Sequence, residues 1–396
     1  MEIDRCNYLI ISKNSVIFIL ASVLVNGIAG MALIYYLPRY LLNLGNELSV
    51  IQFVTTLYPF TFTFLPPFLG KLSDKLQNRY YFILTGSIGI STFFLLLLFS
   101  TNIAIITSIL IFYAVFASFY RVIFSLYQEL IENDPKYVSY YNAVSVFGWF
   151  LGSQIGGVLL DLFEISSVLI FILVTSLINI FFVIFVKEER SKILQRNEFL
   201  KINDSYENNT NNQVIKKGVS RALYFALFFR HFGVRPIITI LAVLMSFHLT
   251  SDTQIGFLLG FNPLLQFFLM LITGKIITNK NQKIIIVIGF LLSSVAIFGY
   301  MVSTEFFGFL LSQIMVSFSF ALFWNAIQIY IAQKTNPLNK GKYLGYAHSS
   351  FFSGGFVGGL FLSLLLLFNP NYYAFMWILM FFPLISVCSI ILSFKS

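Results

Sequence analysis

Charged side chains are scarce in this chain of 396 residues: Asp, Glu, Lys and Arg together make up 10% of it, whereas 58% is hydrophobic. Soluble globular domains carry about 25% charged residues. This scarcity therefore excludes an ordinary soluble domain and indicates an integral membrane protein, with the lipid bilayer as its surroundings.

Cysteine and histidine are also rare, with two and three residues. Cys6 and Cys388 lie at opposite ends of the chain, so neither a disulfide framework nor a metal-ligand spacing is present. The histidines at 231, 248 and 348 are scattered and form no nucleophile–base pattern. We therefore expect no catalytic residue, no bound metal and no cofactor, and we do not expect an enzyme.

Long apolar runs are abundant. A membrane-spanning helix needs about 20 predominantly apolar residues, and runs of this kind are continuous here instead of alternating, which favours helices over a β-barrel. Numbered as spans 1 to 12, the runs cover about 15–38, 49–69, 80–99, 102–127, 138–160, 165–186, 221–247, 253–273, 283–302, 306–332, 342–368 and 371–394.

The placement of basic residues predicts the orientation. Of the 25 Lys and Arg residues, all but Arg39, Arg121, Arg230 and Arg235 fall on the side that holds both termini. Cytoplasmic loops carry the excess of Lys and Arg, so we expect both termini in the cytosol and the protein in the cell membrane. The net charge of +9 then reflects topology and predicts no nucleic-acid partner. Arg39 is expected to snorkel to the outer interface.

The segment between spans 2 and 3 carries a motif, GKLSDKLQNR at residues 70–79. It resembles the signature loop of the major facilitator superfamily of transporters, departing from it at Gln77, where the family usually has Gly, and at Asn78, where it usually has Arg. We expect Gly70 to permit a sharp exit from the membrane. Asp74 should meet a basic residue such as Arg79 or a helix N-terminus, so the three residues are a predicted conformational gate.

The two halves of the chain repeat each other. A shift of 204 residues places Gly70 on Gly274 and Pro59 on Pro263, and a shift of 202 places Pro135 on Pro337. Near-constant shifts predict an all-α membrane protein of two pseudo-symmetric six-helix bundles, the fold of this superfamily. The predicted domains are residues 1–186 and 221–396, joined by a flexible cytosolic linker at 187–220. We expect a monomer.

Three arginines are predicted to lie deep in the membrane. Arg121 precedes the cytosolic end of span 4 by about 11 residues, or ~16 Å. Arg230 aligns with Asn26 in the middle of span 1, and Arg235 lies further in. An arginine at such depth is costly unless it is paired or faces water. Because Arg230 and Arg235 are about 140° apart around the helix, both can face one cavity only if Pro236 bends it.

The resemblance implies a central cavity lined by spans 1, 4, 7 and 10. The predicted substrate-binding residues are accordingly Arg121, Arg230, Arg235, Asn26, Trp324, Asn325 and Gln328. No Asp or Glu lies near mid-depth, so three cations favour a small anionic solute, moved by alternating access. Proton coupling has only three candidates: Glu129, His231 and His348.

Other functions stay open at this point. Efflux of hydrophobic compounds fits the 18% aromatic content and the glycine-rich segment 148–157 of span 5, which resembles a motif of exporters in the superfamily. A sugar or nucleoside carrier fits the amide and indole groups of the predicted cavity. A transporter-like membrane sensor is the alternative outside transport.

Overall fold

The computed structural model describes residues 13–76, 78–131, 135–188, 219–278, 280–335 and 337–393. Most of the predicted linker, at 189–218, therefore lies outside the described residues. The described chain is helical and contains no strand, which confirms the all-α prediction.

Fourteen helices make up the described chain, and they correspond to the twelve predicted spans. Two spans are broken into pieces: span 4 consists of α4 and α5, and span 7 consists of α8 and α9. In order, the helices are α1 (Lys13–Asn43), α2 (Leu48–Leu76), α3 (Tyr80–Leu98), α4 (Ile103–Tyr120), α5 (Val122–Leu130), α6 (Pro135–Leu162), α7 (Ile165–Ile184), α8 (Arg221–Thr239), α9 (Leu241–Ser246), α10 (Asp252–Ile276), α11 (Gln282–Val302), α12 (Phe306–Lys334), α13 (Pro337–Phe368) and α14 (Tyr372–Ser393).

Eleven of the spans in the described chain are long and apolar enough to cross a membrane by length and composition. Span 7 is the exception, because it is interrupted at Ile240 and its longer piece carries Arg221, Arg230 and Arg235. Pro236 lies just before the interruption and lacks a backbone donor. The carbonyl oxygen of Pro236 is also taken up outside the helix, because it accepts a hydrogen bond from the Tyr372 hydroxyl at 3.0 Å.

The expectation of a sharp exit at Gly70 is wrong, because the helix of span 2 continues to Leu76. A glycine inside a helix costs only about 1 kcal/mol relative to alanine, so it need not end one. The next helix begins at Tyr80. Its first turn is held by the Glu188 carboxylate, which accepts hydrogen bonds from the backbone N–H of Arg79 at 3.0 and 3.1 Å and of Tyr80 at 3.0 Å.

Helix packing follows the same pattern in both halves. In the first half span 1 packs on spans 5 and 6, and span 3 packs on spans 4 and 6; in the second half span 7 packs on spans 11 and 12, and span 9 packs on spans 10 and 12. Spans 5 and 8, and spans 2 and 11, join the halves. This arrangement confirms two pseudo-symmetric bundles.

Glycines make the close contact between spans 1 and 5. A Cβ atom added at Gly148 would lie 2.4 Å from the Leu24 carbonyl oxygen, and one at Gly152 would lie 2.2 Å from that of Ile28. Only glycine lets the two backbones approach this closely. The glycines of span 5 are therefore packing residues in this structure.

The same contact recurs between spans 7 and 11. A Cβ atom at Gly354 would lie 2.1 Å from the Phe228 carbonyl oxygen, and one at Gly358 would lie 2.2 Å from that of Phe232. Relative to the first half, the contacted carbonyls are shifted by 204 residues and the glycines by 206. The sequence comparison had aligned span 5 with span 11 by a shift of 202 residues. The structure shows that the shift is 206, a difference of four residues or about one helical turn.

A third close contact occurs between spans 3 and 4 of the first half and again between spans 9 and 10 of the second half. A Cβ atom at Gly86 would lie 2.4 Å from the Tyr120 backbone nitrogen, and one at Gly289 would lie 2.8 Å from that of Phe323. Both pairs are related by a shift of 203 residues. Phe323 is therefore the counterpart of Tyr120.

Candidate solute site and outer closure

Arg121 lies at the interface of the two halves. It occupies the break in span 4 and is exposed. Its guanidinium carbon lies 3.9 Å from the ring centroid of Phe62 in span 2 and 5.0 Å from that of Phe352 in span 11. Among the described residues the one salt bridge is elsewhere, so no carboxylate there neutralises Arg121. The side chain of Glu129 lies outside the described part of the chain.

Trp324 is the counterpart of Arg121 in the second half, because each follows one residue of the pair Tyr120 and Phe323. The shift of 202 had matched Arg121 with Phe323, and the packing corrects this by one residue. Trp324 meets the His348 ring edge-on, with centroids 5.1 Å apart. His348 is exposed and lies within electrostatic reach of Arg121. Trp324 and His348 are thus in contact between spans 10 and 11, and span 11 also reaches Arg121 through Phe352.

Arg230 points away from this interface. Its side chain is 2% exposed, and its Nε donates a hydrogen bond to the Ser293 hydroxyl at 3.0 Å. The guanidinium carbon lies 4.6 Å above the ring of Phe323. The helix turns the Arg230 side chain towards spans 9 and 10 within the second half, so its predicted place in a cavity shared with Arg121 is not what the structure shows.

His231 belongs to the same buried cluster. Its Nδ1 lies 2.9 Å from the Leu227 carbonyl oxygen, so Nδ1 carries the proton and donates it. Nε2 then accepts a hydrogen bond from the Arg230 guanidinium at 2.9 Å. Both ring nitrogens are engaged and the side chain is 1% exposed, which separates His231 from the exposed His348.

Arg235 lies between the halves and nearer the outer end, which is the end where the helix of span 1 stops at Asn43 and that of span 8 begins at Asp252. It lines a cavity of about 20 Å³, which holds about one water molecule. The other lining residues come from spans 1, 2, 4 and 7: Leu33, Ile34, Leu37, Thr55, Leu110 and Thr239. Leu110 precedes Arg121 by about 16 Å along span 4. Arg121 and Arg235 therefore occupy different depths of the interface.

The predicted amides have separate surroundings. Asn325 donates hydrogen bonds through Nδ2 to the Thr273 hydroxyl at 2.7 Å and to the Met270 carbonyl at 3.2 Å, so it joins span 10 to span 8. Asn26 and Gln328 are half-buried. The amide donors of Asn325 are thus used inside the second half.

Two carboxylates close the outer end across the halves. Arg39 of span 1 forms a bidentate salt bridge to Asp252 of span 8, with N···O distances of 2.6 and 3.2 Å. Asp161 of span 5 accepts hydrogen bonds from the Ser251 hydroxyl at 2.8 Å and from the backbone N–H of Asp252 and Thr253 at 2.7 Å. Asp161 therefore caps the N-terminus of a helix in the opposite half.

Neutral contacts extend this closure inwards. Gln154 Nε2 donates to the Gly256 carbonyl oxygen at 3.0 Å, and a Cβ atom at Gly157 would lie 2.9 Å from the Gly256 Cα. Arg39 has a partner that the sequence did not predict, Asp252, 213 positions away, while its snorkelling to the outer interface stays a prediction. The available signal was that Arg39, Asp161 and Asp252 are charged at span ends on the side with few charges.

Comparisons with known proteins agree with this architecture. The crystal structure of the nucleoside transporter NupG is 13% identical with a TM-score of 0.74, covering 97% of this chain and 100% of that one. That of the human organic anion transporter MFSD10 (TETRAN) is 15% identical with a TM-score of 0.68, covering 96% and 99%. A POT family transporter in complex with 5-aminolevulinic acid is 12% identical with a TM-score of 0.72, covering 96% of both.

These likenesses show the fold alone, and no curated protein matches the chain. The family model for the Major Facilitator Superfamily matches residues 19–217 and 223–395, which include all or nearly all of every span. Together with the repeated packing of two six-helix halves, this match shows that the chain belongs to the major facilitator superfamily of transporters.

Proposed function

We propose that this multi-pass membrane protein carries a small organic anion by alternating access, and that the outer end is closed in the conformation described above. The observation that supports an anion most directly is the exposed Arg121, which lies at the interface of the halves with aromatic neighbours and no described carboxylate. A cation within a membrane protein must be hydrated or paired. A bound carboxylate or phosphate ester supplies that pairing through the planar guanidinium fork.

The solute would bridge the halves. Arg121 belongs to the first half and contacts the second through Phe352 of span 11. Trp324 and His348 belong to the second half and contact each other. An anionic group on Arg121 and an apolar or flat part of the solute on Trp324 would give each half one contact. Rocking of one half against the other then changes access without requiring the site to be rebuilt.

Arg235 supplies a second cation nearer the outer end, in the wall of the cavity of about 20 Å³. That cavity is too small for an organic solute. We propose that it widens when the outer closure opens, so that Arg235 meets the solute in the outward-open state. Arg230 has its role inside the second half and is left out of the proposed site.

Gates and coupling follow from the same arrangement. The outer gate comprises Arg39, Asp161 and Asp252. For the inner gate, Asp74 and Arg79 stay as predicted, since the side chain of Asp74 lies outside the described residues. Gly70 keeps only its place in the motif, because the helix of span 2 continues through it. His348 is the proposed proton-coupling candidate because it is exposed and lies one helical turn from Phe352, which contacts Arg121, with Glu129 as a second one.

Uptake into vesicles holding the purified protein tests the function. We expect saturable uptake of one or more monocarboxylates, dicarboxylates or phosphate esters, in preference to nucleosides, sugars and apolar dyes. Arg121→Lys keeps the charge and loses the fork, so uptake should fall partly. Arg121→Gln should lower uptake about 10-fold or more, because a charge-assisted hydrogen bond contributes about 1.5–3 kcal/mol.

Lys334→Gln is the matched control, since it removes one exposed cation at the end of span 10 and should leave uptake unchanged. Uptake of nucleosides, sugars or dyes that is insensitive to Arg121→Gln would contradict the anion proposal. Absence of uptake of every solute in a folded preparation would favour the sensor alternative.

A further inference from the structure

An open groove lies where span 7 begins and span 12 ends, at the inner end of the spans, opposite to the outer end. It has a volume of about 350 Å³ and is lined by Arg221, Ala222, Phe225, Ser389 and Leu392. Phe225 is 62% exposed and Leu392 is 70% exposed. The groove therefore combines an apolar wall with one cation at its rim, and it is separate from the proposed solute site.

The corresponding position of the first half, between spans 1 and 6, holds two stacked aromatic rings. The shift of 204 residues found for spans 1 and 7 places Phe18 on Ala222. Spans 6 and 12 are related by a shift of 207, since their helices begin at Ile165 and Tyr372 and the contact of Ser22 with Asn179 recurs as that of Ala226 with Ser386. This shift places Phe185 on Leu392. Phe18 and Phe185 stack with ring centroids 5.3 Å apart and planes at 26°. The groove thus lies where Ala222 and Leu392 stand in place of a stacked Phe pair.

The rim differs between the halves in the same way. The shift of 204 residues places Ile17, which is 60% exposed, on the exposed Arg221. A lipid-facing isoleucine is ordinary, whereas an exposed arginine at the rim of an apolar groove is suited to an anion. Among the described residues the one salt bridge is that of Arg39 and Asp252, so no described carboxylate neutralises Arg221.

A second cation and a helix end lie close by. Lys283 Nζ lies 3.4 Å from the Ile391 carbonyl oxygen, which places its ammonium group beside the end of span 12. Span 7 begins after Ser220, whose side chain makes no capping hydrogen bond. The first N–H groups of a helix favour a negative group.

We propose that this groove binds one anionic phospholipid, with an acyl chain along Phe225 and Leu392 and the phosphate at Arg221. A free phosphate would leave the apolar wall unused, and a neutral apolar ligand would leave Arg221 unused. The volume of about 350 Å³ lies at the lower end of the range for small-molecule sites, about 300–1,000 Å³. It takes the glycerol phosphate and part of one chain, while the rest of the lipid stays in the bilayer.

Lipid titration of the purified full chain in detergent, followed by native mass spectrometry, tests the proposal. Phosphatidylglycerol should bind more tightly than phosphatidylcholine with the same acyl chains. Arg221→Gln should weaken phosphatidylglycerol binding about fivefold, the effect of one basic residue near an anionic headgroup. The double variant Ala222→Phe with Leu392→Phe copies the stacked pair of the first half and should abolish the preference although Arg221 is kept.

Lys334→Gln removes an equal charge outside the groove and is the control. Equal binding of the two lipids would overturn recognition of the headgroup charge. Unchanged phosphatidylglycerol binding in the double phenylalanine variant would overturn the groove as the site. Because anion uptake is measured separately, either result leaves the proposed transport function untouched.

Discussion

Arg39 and Asp252 form the one charge pair that crosses between the halves among the described residues, and each is only about one-sixth exposed, at 15% and 16%. The pair is bidentate, the strong form of an arginine–carboxylate contact. It exists only while the outer end is closed. Its free energy therefore biases the equilibrium towards that state and leaves the solute contacts themselves unchanged.

Asp252→Asn or Arg39→Gln should shift the protein towards the outward-open state. Loss of about 1–2 kcal/mol changes the ratio of the two states about 5- to 30-fold. The measurement is labelling of a cysteine at Leu37, which is 4% exposed beside Arg235, with an impermeant maleimide added from outside. The background lacks Cys6 and Cys388.

Glu305→Gln is the control, an exposed carboxylate at the same end with no described ion pair. The exchange of charges in Arg39→Asp with Asp252→Arg should restore slow labelling. If Asp252→Asn and Arg39→Gln both label at the rate of the parent protein, the pair does not hold the outer end closed.

The arginines show what a sequence reveals about single residues. Distance along a span gives the depth of a side chain, so Arg121, Arg230 and Arg235 are correctly recognised as lying within the spans. Which neighbouring helix the side chain points towards depends on how the other helices pack around its own. Arg230 turns to Ser293, 63 positions away, and Arg39 finds Asp252, 213 positions away. Such partners cannot be read from local patterns.

At the scale of elements, close glycine contacts decide how the spans pack. Gly152→Ala should lower thermal stability, since its Cβ would lie 2.2 Å from the Ile28 carbonyl oxygen and backbone cannot move aside cheaply. Overpacking of this kind costs about 1–3 kcal/mol. Gly30→Ala is the matched control in span 1, because a Cβ there meets nothing within 4 Å.

The unfolding temperature of the detergent-purified variants, followed by the loss of monodisperse protein on heating, checks this difference. Gly30→Ala should keep or slightly raise that temperature, as alanine favours a helix by about 1 kcal/mol over glycine. An equal effect of both substitutions would mean that spans 1 and 5 move apart at little cost and that the close contact at Gly152 does not limit stability.

The spans themselves were predicted to within about five residues at nearly every end, because length and hydropathy are local properties. The breaks at Arg121 and Ile240 were missed, as was the extension of span 2 to Leu76. Helix ends near the membrane surface depend on capping and on tertiary contacts, such as that of Glu188 with the Tyr80 N–H. These contacts leave no periodic signal.

At the scale of the whole molecule, the orientation is a prediction from charge placement. Single cysteines at position 205, in the predicted linker, and at Glu47, between spans 1 and 2, should label from opposite faces of the membrane in the cysteine-free background. Position 205 should react only after the membrane is permeabilised. Reaction of both positions from one side would contradict the orientation and the count of twelve spans together.

Span 7 has a consequence for how the chain enters the bilayer during synthesis. Its longer helix carries three arginines and fails the hydropathy of an independent span, and each arginine at the centre of a helix costs about 2.5–3.5 kcal/mol on insertion scales. The groups that Arg230 contacts, on Ser293 and Phe323, are translated 63 and 93 residues later. We therefore expect span 7 to wait at the insertion machinery until spans 9 and 10 emerge, so the second half enters the membrane as a group.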